Sequence, residues 1–235
     1  MRLDNYLVEN GFVDSRNKAQ NIIKEELVSV NGKIVKKAAF KVEEGDEVNI
    51  REHKAYVSRA AYKLLHFLDE LRLDVSGRSA LDIGSSTGGF TQVLLERGVH
   101  EVSCVDVGHD QLHRSLREDS RVSVYEGCDI RKFETQKQFD LIVSDVAFIS
   151  LHYILNDVQR LASQDIILLF KPQFEVGREV KRDKNGVVLD KKAIERAMQK
   201  FEDTASLQGW KLLQKSPSQL SGKEGNQEWC YYFKK

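Results

Sequence analysis

Leu81-Asp82-Ile83-Gly84-Ser85-Ser86-Thr87-Gly88-Gly89-Phe90 reads as a short apolar strand running into a glycine-rich turn and then a helix. The next apolar run ends on an acidic residue, Asp106. In a doubly wound α/β domain, ligands sit beyond the carboxyl ends of the strands, where glycines let backbone approach and a carboxylate holds ribose hydroxyls. The stretch therefore outlines a nucleotide-type pocket.

Gly84, Gly88 and Gly89 spell G-x-x-x-G-G, which is neither the G-x-G-x-x-G of dinucleotide binders nor the Gly-Lys-Ser/Thr of a phosphate-cradling loop. Asp82 points the same way, because a carboxylate at the mouth repels a pyrophosphate but accepts hydrogen bonds from an ammonium group. S-adenosylmethionine carries an amino-acid head, a sulfonium cation and ribose hydroxyls, and no phosphate. It suits a pocket edged by Asp82 and Asp106, with Asp82 expected beside the amino group.

The chain has 235 residues with 41% hydrophobic content, enough for one good core and a small second module. Lys+Arg and Asp+Glu are each 36, so any nucleic-acid contact must come from local basic patches rather than a global field. The first residues lack the apolar core of a signal peptide, and Ile166–Phe170 is far too short to span a bilayer, so a cytoplasmic protein without a membrane partner is expected. Cys104, Cys128 and Cys230 lack C-x-x-C spacing and the histidines show no ligand set, so free thiols and no metal site are expected.

Residues 1–52 read as a small α/β unit: helices from Arg2 to Glu9 and Ser15 to Glu25, then strands near Val28–Val30, Ile34–Val35 and Val48–Ile50. Asn31-Gly32 is a strong hairpin turn. Residues 53–57 read as an interdomain linker, and 58–235 as the larger domain. There Ser58 is expected to cap a helix with an apolar stripe at Ala61, Leu64, Leu65, Leu68 and Leu71. Strands and helices then alternate: Ala80–Ile83, helix Gly89–Arg97, Glu101–Asp106, a short helix over 110–116, Val122–Tyr125, Leu141–Ser144, helix Leu151–Leu161 and Ile166–Phe170. Lys181–Gly186 reads as a mobile loop, followed by a helix from Asp190 to Gln208 and two closing strands, Lys211–Leu213 and Glu228–Phe233. The expected fold is a Rossmann-like α/β sheet, mostly parallel with an antiparallel edge.

The first unit resembles an S4 RNA-binding domain through Arg2-Leu3-Asp4 with Leu7, Ser15-Arg16 with Ala19, Ile22 and Ile23, and Val28-x-Val30-Asn31-Gly32-x-x-Val35. The resemblance implies RNA contact along the second helix and following turn, through Arg16, Lys18, Lys24, Lys33, Lys36 and Lys37. From Tyr56 onward the chain resembles the FtsJ/RrmJ-like ribose 2′-O-methyltransferases, and with the S4 module the TlyA family, long called haemolysin A-like. The carrying motifs are Ser58-Arg59-Ala60-Ala61-Tyr62-Lys63-Leu64, Asp82 through Thr91, Asp106-Val107-Gly108, Ser144 through Leu151, Phe170 through Gly177, and Gly225-Asn226-Gln227-Glu228.

That resemblance implies methylation of a cytidine ribose in ribosomal RNA, with 23S favoured for a chain of the shorter form and 16S the alternative, free or within a ribosomal subunit. It also implies a catalytic tetrad of Lys63, Asp145, Lys171 and Glu228. A ribose hydroxyl is a poor nucleophile while neutral, so the chemistry needs a positioned base and in-line geometry. Lys171 is the expected base; an ordinary lysine titrates near about 10.4, so desolvation or a neighbouring cation must favour its neutral amine. Asp145 is expected to orient a lysine and the methyl donor, with Lys63 and Glu228 gripping the ribose. Gly84, Ser85, Gly88 and Gly89 are expected near the methionine portion of the cofactor, Asp106 at its ribose and Asp129 at its adenine. Two rivals make different demands: a membrane-lytic protein needs a long apolar segment or a strongly amphipathic basic helix, and a non-catalytic rRNA-binding assembly factor keeps the S4 surface without methyl transfer.

Overall fold

A computed structural model describes residues 1–24, 27–50 and 56–235. Glu25 and most of the expected linker lie outside the described residues. The chain divides into two compact units, Met1–Ala55 and Tyr56–Lys235.

In the first unit α1 (Leu3–Glu9) and α2 (Arg16–Lys24) pack on a three-stranded antiparallel sheet of β1 (Val28–Val30), β2 (Lys33–Ile34) and β3 (Val48–Ile50), ordered β2-β1-β3. The hairpin turn is tight because Asn31 and Gly32 both take positive φ, 50° and 75°, matching the twist of the flanking strands. Leu3, Leu7, Ala19, Ile23, Val28, Val30, Val35, Val42 and Val48 form its core.

The second unit begins with α3 (Ala60–Leu71), then β4 (Ser79–Ile83), α4 (Gly89–Glu96), β5 (Glu101–Asp106), α5 (Arg114–Arg117), β6 (Val122–Glu126) and β7 (Phe139–Ser144). It continues through α6 (Leu155–Leu161), β8 (Ala162–Phe170), α7 (Pro172–Glu175), α8 (Lys191–Leu207), β9 (Lys211–Pro217) and β10 (Trp229–Lys234). The sheet order is β6-β5-β4-β7-β8-β10-β9, parallel from β6 to β8 and antiparallel from β8 to β10 and β9. Strand order reverses between β4 and β7, which opens a crevice at their carboxyl ends.

Strand alternation divides the core between the two faces. Leu81, Ile83, Ile142, Ile166, Leu168 and Phe170 join Phe201 and Tyr231 on one face, while Ala80, Leu141, Val143, Ile167 and Leu169 meet Leu64, Leu68, Phe90 and Leu94 on the other.

Four local expectations change. Ser58 does not cap α3: that position falls to Arg59, without a side-chain cap bond. The helix expected over 110–116 shrinks to α5, because Asp110 has φ 53° and the amides of Asp110, Gln111 and Leu112 all donate to the Glu126 carboxylate. A 3-10 turn, Leu151–Tyr153, precedes α6, since the Leu151 amide donates to Glu175. The segment read as a mobile loop is laced down: Arg182 donates to the carbonyls of Gln173, Gly177, Arg178 and Val180, and Asp183 accepts from the amides of Asn185 and Val187.

Candidate active site

Asp145 follows β7 and Lys171 follows β8. Trp229 of β10 sits opposite Phe170 of β8, so the antiparallel register alone carries Glu228 to the neighbourhood of Lys171. Lys63 is 9% exposed on the inward side of α3, where its neighbours Leu64 and Phe67 are buried. It is therefore not a solvated helix lysine.

These four side chains form a zigzag of alternating charge. The Lys63 ammonium donates to Glu228 Oε2 at 2.6 Å and lies 3.8 Å from Asp145 Oδ2. Lys171 Nζ lies 2.5 Å from Asp145 Oδ1. That contact is ionic and off the hydrogen-bonding direction; Lys171 donates to the Asp145 carbonyl at 3.4 Å, leaving Oδ1 without a hydrogen-bond donor. Lys171 is 8% and Glu228 2% exposed. Removing any one member strands a desolvated charge, a loss of about 3–5 kcal/mol in comparable pairs.

A cavity of about 490 Å³ opens beside the zigzag, lined by residues that include Gly84, Asp106, Gln111, Asp129, Asp145 and Phe148. Its size falls in the roughly 300–1,000 Å³ range of small-molecule sites. Gly84, at φ 79°, is required: a Cβ there would stand 3.0 Å from Val146 Cγ1 in a backbone region that side chains avoid. Asp106 accepts from the Ser86 and Gly108 amides at 2.8 and 2.7 Å, so one carboxylate shapes both turns at the rim. Asp129 also lines the cavity, with its carboxylate engaged by Arg131, which holds it down at about 2.

The expected cofactor residues separate at this point. Gly84, Asp106 and Asp129 line the cavity; Asp82, Ser85, Gly88 and Gly89 do not. Asp82 is on the α4 face of the sheet, 1% exposed, its Oδ2 accepting from the Thr91 amide and hydroxyl. Burial pushes it up to about 7, and Oδ1 has no partner. Gly88 backs onto Leu112 and Leu116, while a Cβ on Gly89 would meet Ser58 Oγ at 2.2 Å and the Ala61 amide at 2.9 Å. These two glycines serve close packing.

Glu126, Gln111 and Phe148 went unrecognised in the sequence. Arg117 and three backbone amides hold Glu126 at about 2, and that carboxylate fixes the segment carrying Gln111 into the cavity. Phe148 is 92% exposed at φ 65°, its ring 5.6 Å from that of Phe174.

In the S4-like unit, Arg16 donates to buried Asp4 at 2.9 Å and Lys18 to Asp14 at 2.7 Å, while Lys24, Lys33, Lys36 and Lys37 are exposed. Asp4 also accepts from Arg2 and Gln20, and is driven well below the usual carboxylate range chiefly by Arg2.

The model of the FtsJ-like methyltransferase family matches residues 56–235. The chain belongs to that family. Residues 1–48 match the S4 domain, and the full-length likeness is to the TlyA methyltransferases. A Campylobacter jejuni 23S rRNA (cytidine-2′-O)-methyltransferase TlyA is 42% identical over 99% of both chains. The Mycobacterium tuberculosis 16S/23S rRNA (cytidine-2′-O)-methyltransferase TlyA is 37% identical over 99% of this chain and 89% of its own. A solved Streptococcus thermophilus structure described as a hemolysin superposes with a TM-score of 0.74 at 33% identity, covering all of this chain and 88% of that one. Among the described residues no helix is long and apolar enough to cross a membrane.

Proposed function

We propose that the chain methylates the ribose 2′-oxygen of a cytidine in ribosomal RNA, with 23S rRNA the favoured substrate. The observation that carries this reading is Asp145, which lines the cavity while its carboxylate faces both Lys63 and Lys171. Methyl-donor pocket and candidate base thus share one residue.

S-adenosylmethionine fits the residues present. The lining is apolar with the carboxylates of Asp106, Asp129 and Asp145, the one arginine in it, Arg131, is already paired to Asp129, and the unpartnered Asp82 Oδ1 lies buried beneath the turn. Such a donor set favours a cation and hydroxyls over a phosphate. When bound, the cofactor supplies the activated methyl group. Asp106 would hold its ribose, Gly84 the methionine portion, and the Asp129 side its adenine; Asp82 would act on the amino group from below the turn.

Lys171, ionic in the free chain, must enter the reaction as the neutral amine; its Nζ then takes the proton of the 2′-hydroxyl as that oxygen accepts the methyl group, and Asp145 stabilises the ammonium that results. Lys63, held by Glu228, positions the ribose and keeps the pocket's charges balanced. Phe148 offers a stacking surface for a base turned out of the RNA. The S4-like unit supplies phosphate contacts through Lys24, Lys33, Lys36 and Lys37 together with Arg16 and Lys18.

The test is transfer of a labelled methyl group to 23S rRNA, 16S rRNA and isolated ribosomal subunits, followed by mapping. Label on a single cytidine ribose of the large-subunit RNA is expected. Label on a base, or none with any substrate, would overturn the reading.

A further inference from the structure

The paired ends of β7 and β8 bring Asp145 and Lys171 to 2.5 Å. One carboxylate ties together the segments that follow them. Glu175, on α7 four residues after Lys171, accepts from Ser150 Oγ at 2.6 Å and from the Leu151 amide at 2.8 Å. Ser150 and Leu151 end the segment that begins at Asp145 and holds Phe148, and the same α7 turn places Phe174 against the Phe148 ring.

We propose that Glu175 is a positioning residue for methyl transfer, clamping the Asp145–Leu151 loop to the Lys171 segment so that base, acidic partner and Phe148 keep one relative geometry. The inference rests on the function proposed above. Glu175 is half-buried, and burial is the largest influence raising its pKa, offset by its two hydrogen bonds and by Lys200. A carboxylate is a costly way merely to fill such a place. It is an effective way to hold a loop, because hydrogen bonds to a charged acceptor are stronger than those between neutral groups. Phe148 adds a demand of its own, since its left-handed backbone must be held by its surroundings.

The experiment compares wild type, Glu175→Gln, Glu175→Ala, Ser150→Ala and the Glu175→Ala/Ser150→Ala pair on the rRNA substrate, measuring kcat, RNA Kd and Tm. Glutamine keeps an acceptor for Leu151 and can still bond Ser150, so it should retain activity within a few-fold of wild type. Glu175→Ala should lower kcat about tenfold or more, in line with the cost of small misplacements, while RNA Kd stays within threefold. Ser150→Ala should lower kcat in the same sense, and the pair should fall no further than Glu175→Ala alone, as one clamp demands.

Wild-type kcat in a folded Glu175→Ala protein, or losses that multiply in the pair, would overturn the proposal. A kcat loss matched by an equal loss of RNA affinity in every variant would do so too. If Glu175→Ala fails to fold, Ser150→Ala decides, because the Leu151 bond remains: unchanged kcat there refutes the clamp. An inactive wild type would instead count against the function itself.

Discussion

Lys63 Nζ stands 2.6 Å from Glu228 Oε2, across 165 positions of sequence and between helix α3 and the residue that precedes β10. Both groups are nearly closed to solvent, and Asp145 completes their charge on the other side. Apolar packing would fill the same space at lower electrostatic cost. Stability alone gives little reason for such a pair, which is why both residues are placed in the proposed site.

Glu228→Gln should keep the shape of the site while removing its charge. A fall in kcat of about a hundredfold is expected, with a stability loss toward the roughly 3–5 kcal/mol seen when one partner of a buried pair is removed. The apolar pair Lys63→Met/Glu228→Leu should recover much of that stability without recovering activity. Chemical denaturation and single-turnover methylation separate the two; an active apolar pair would contradict the assignment.

Asp82 makes stability of the cofactor-free protein depend on pH. Its ordinary value is 3.8 and its folded value about 7. Across that window the folded chain holds a proton that the unfolded chain has released, so stability falls as pH rises from about 3.8 to about 7 and then levels. Asp82→Asn should flatten this slope and stabilise the protein at pH 8 by an order of 1 kcal/mol or more. Urea midpoints taken between pH 4.5 and 8 should converge at the acid end; parallel curves for wild type and variant would contradict it.

Gly89→Ala should destabilise the larger unit through sterics alone. The new Cβ meets Ser58 Oγ and, more seriously, the backbone amide of Ala61 at 2.9 Å. Forcing α3 away from α4 should cost about 1–3 kcal/mol, read as a lowered Tm. An unchanged Tm would mean the two helices separate freely.

Replacing Lys33, Lys36 and Lys37 by glutamine should weaken RNA binding and reduce the steepness of its salt dependence, by roughly one counterion per lost phosphate contact. Arg16 should behave differently. It is tied to Asp4, which also engages Arg2 and Gln20, so Arg16→Gln should lower stability of the S4-like unit as well as RNA affinity. Filter binding across a salt series distinguishes them; an unaltered slope in the triple variant would place the RNA contact elsewhere.

The mostly parallel sheet and its ligand-side edge were legible because β4, β5, β7 and β8 carry apolar runs that end at Gly84, Asp106, Asp145 and Lys171, whereas the strand order was not. The long helix α8 was legible too, through its Asp190 cap and apolar stripe. What escaped depends on partners distant in sequence. Glu126 draws out the amides of 110–112, Glu175 seizes Ser150 and Leu151, and Arg182 bonds four carbonyls between Gln173 and Val180, none of which a local propensity records. Asp82 precedes the glycine turn without lining the cavity: strand alternation sends its Oδ2 to Thr91 on the helix face, which a period-of-two reading from Ala80 shows.

Lys171→Ala offers the most direct test of the chemistry, in a protein whose fold is verified by Tm and whose cofactor and RNA affinities are measured alongside turnover. The predicted result is loss of methyl incorporation into 23S rRNA by at least about a hundredfold, with RNA Kd within a few-fold of wild type. Undiminished single-turnover methylation by that variant would contradict the assignment of Lys171 as the base.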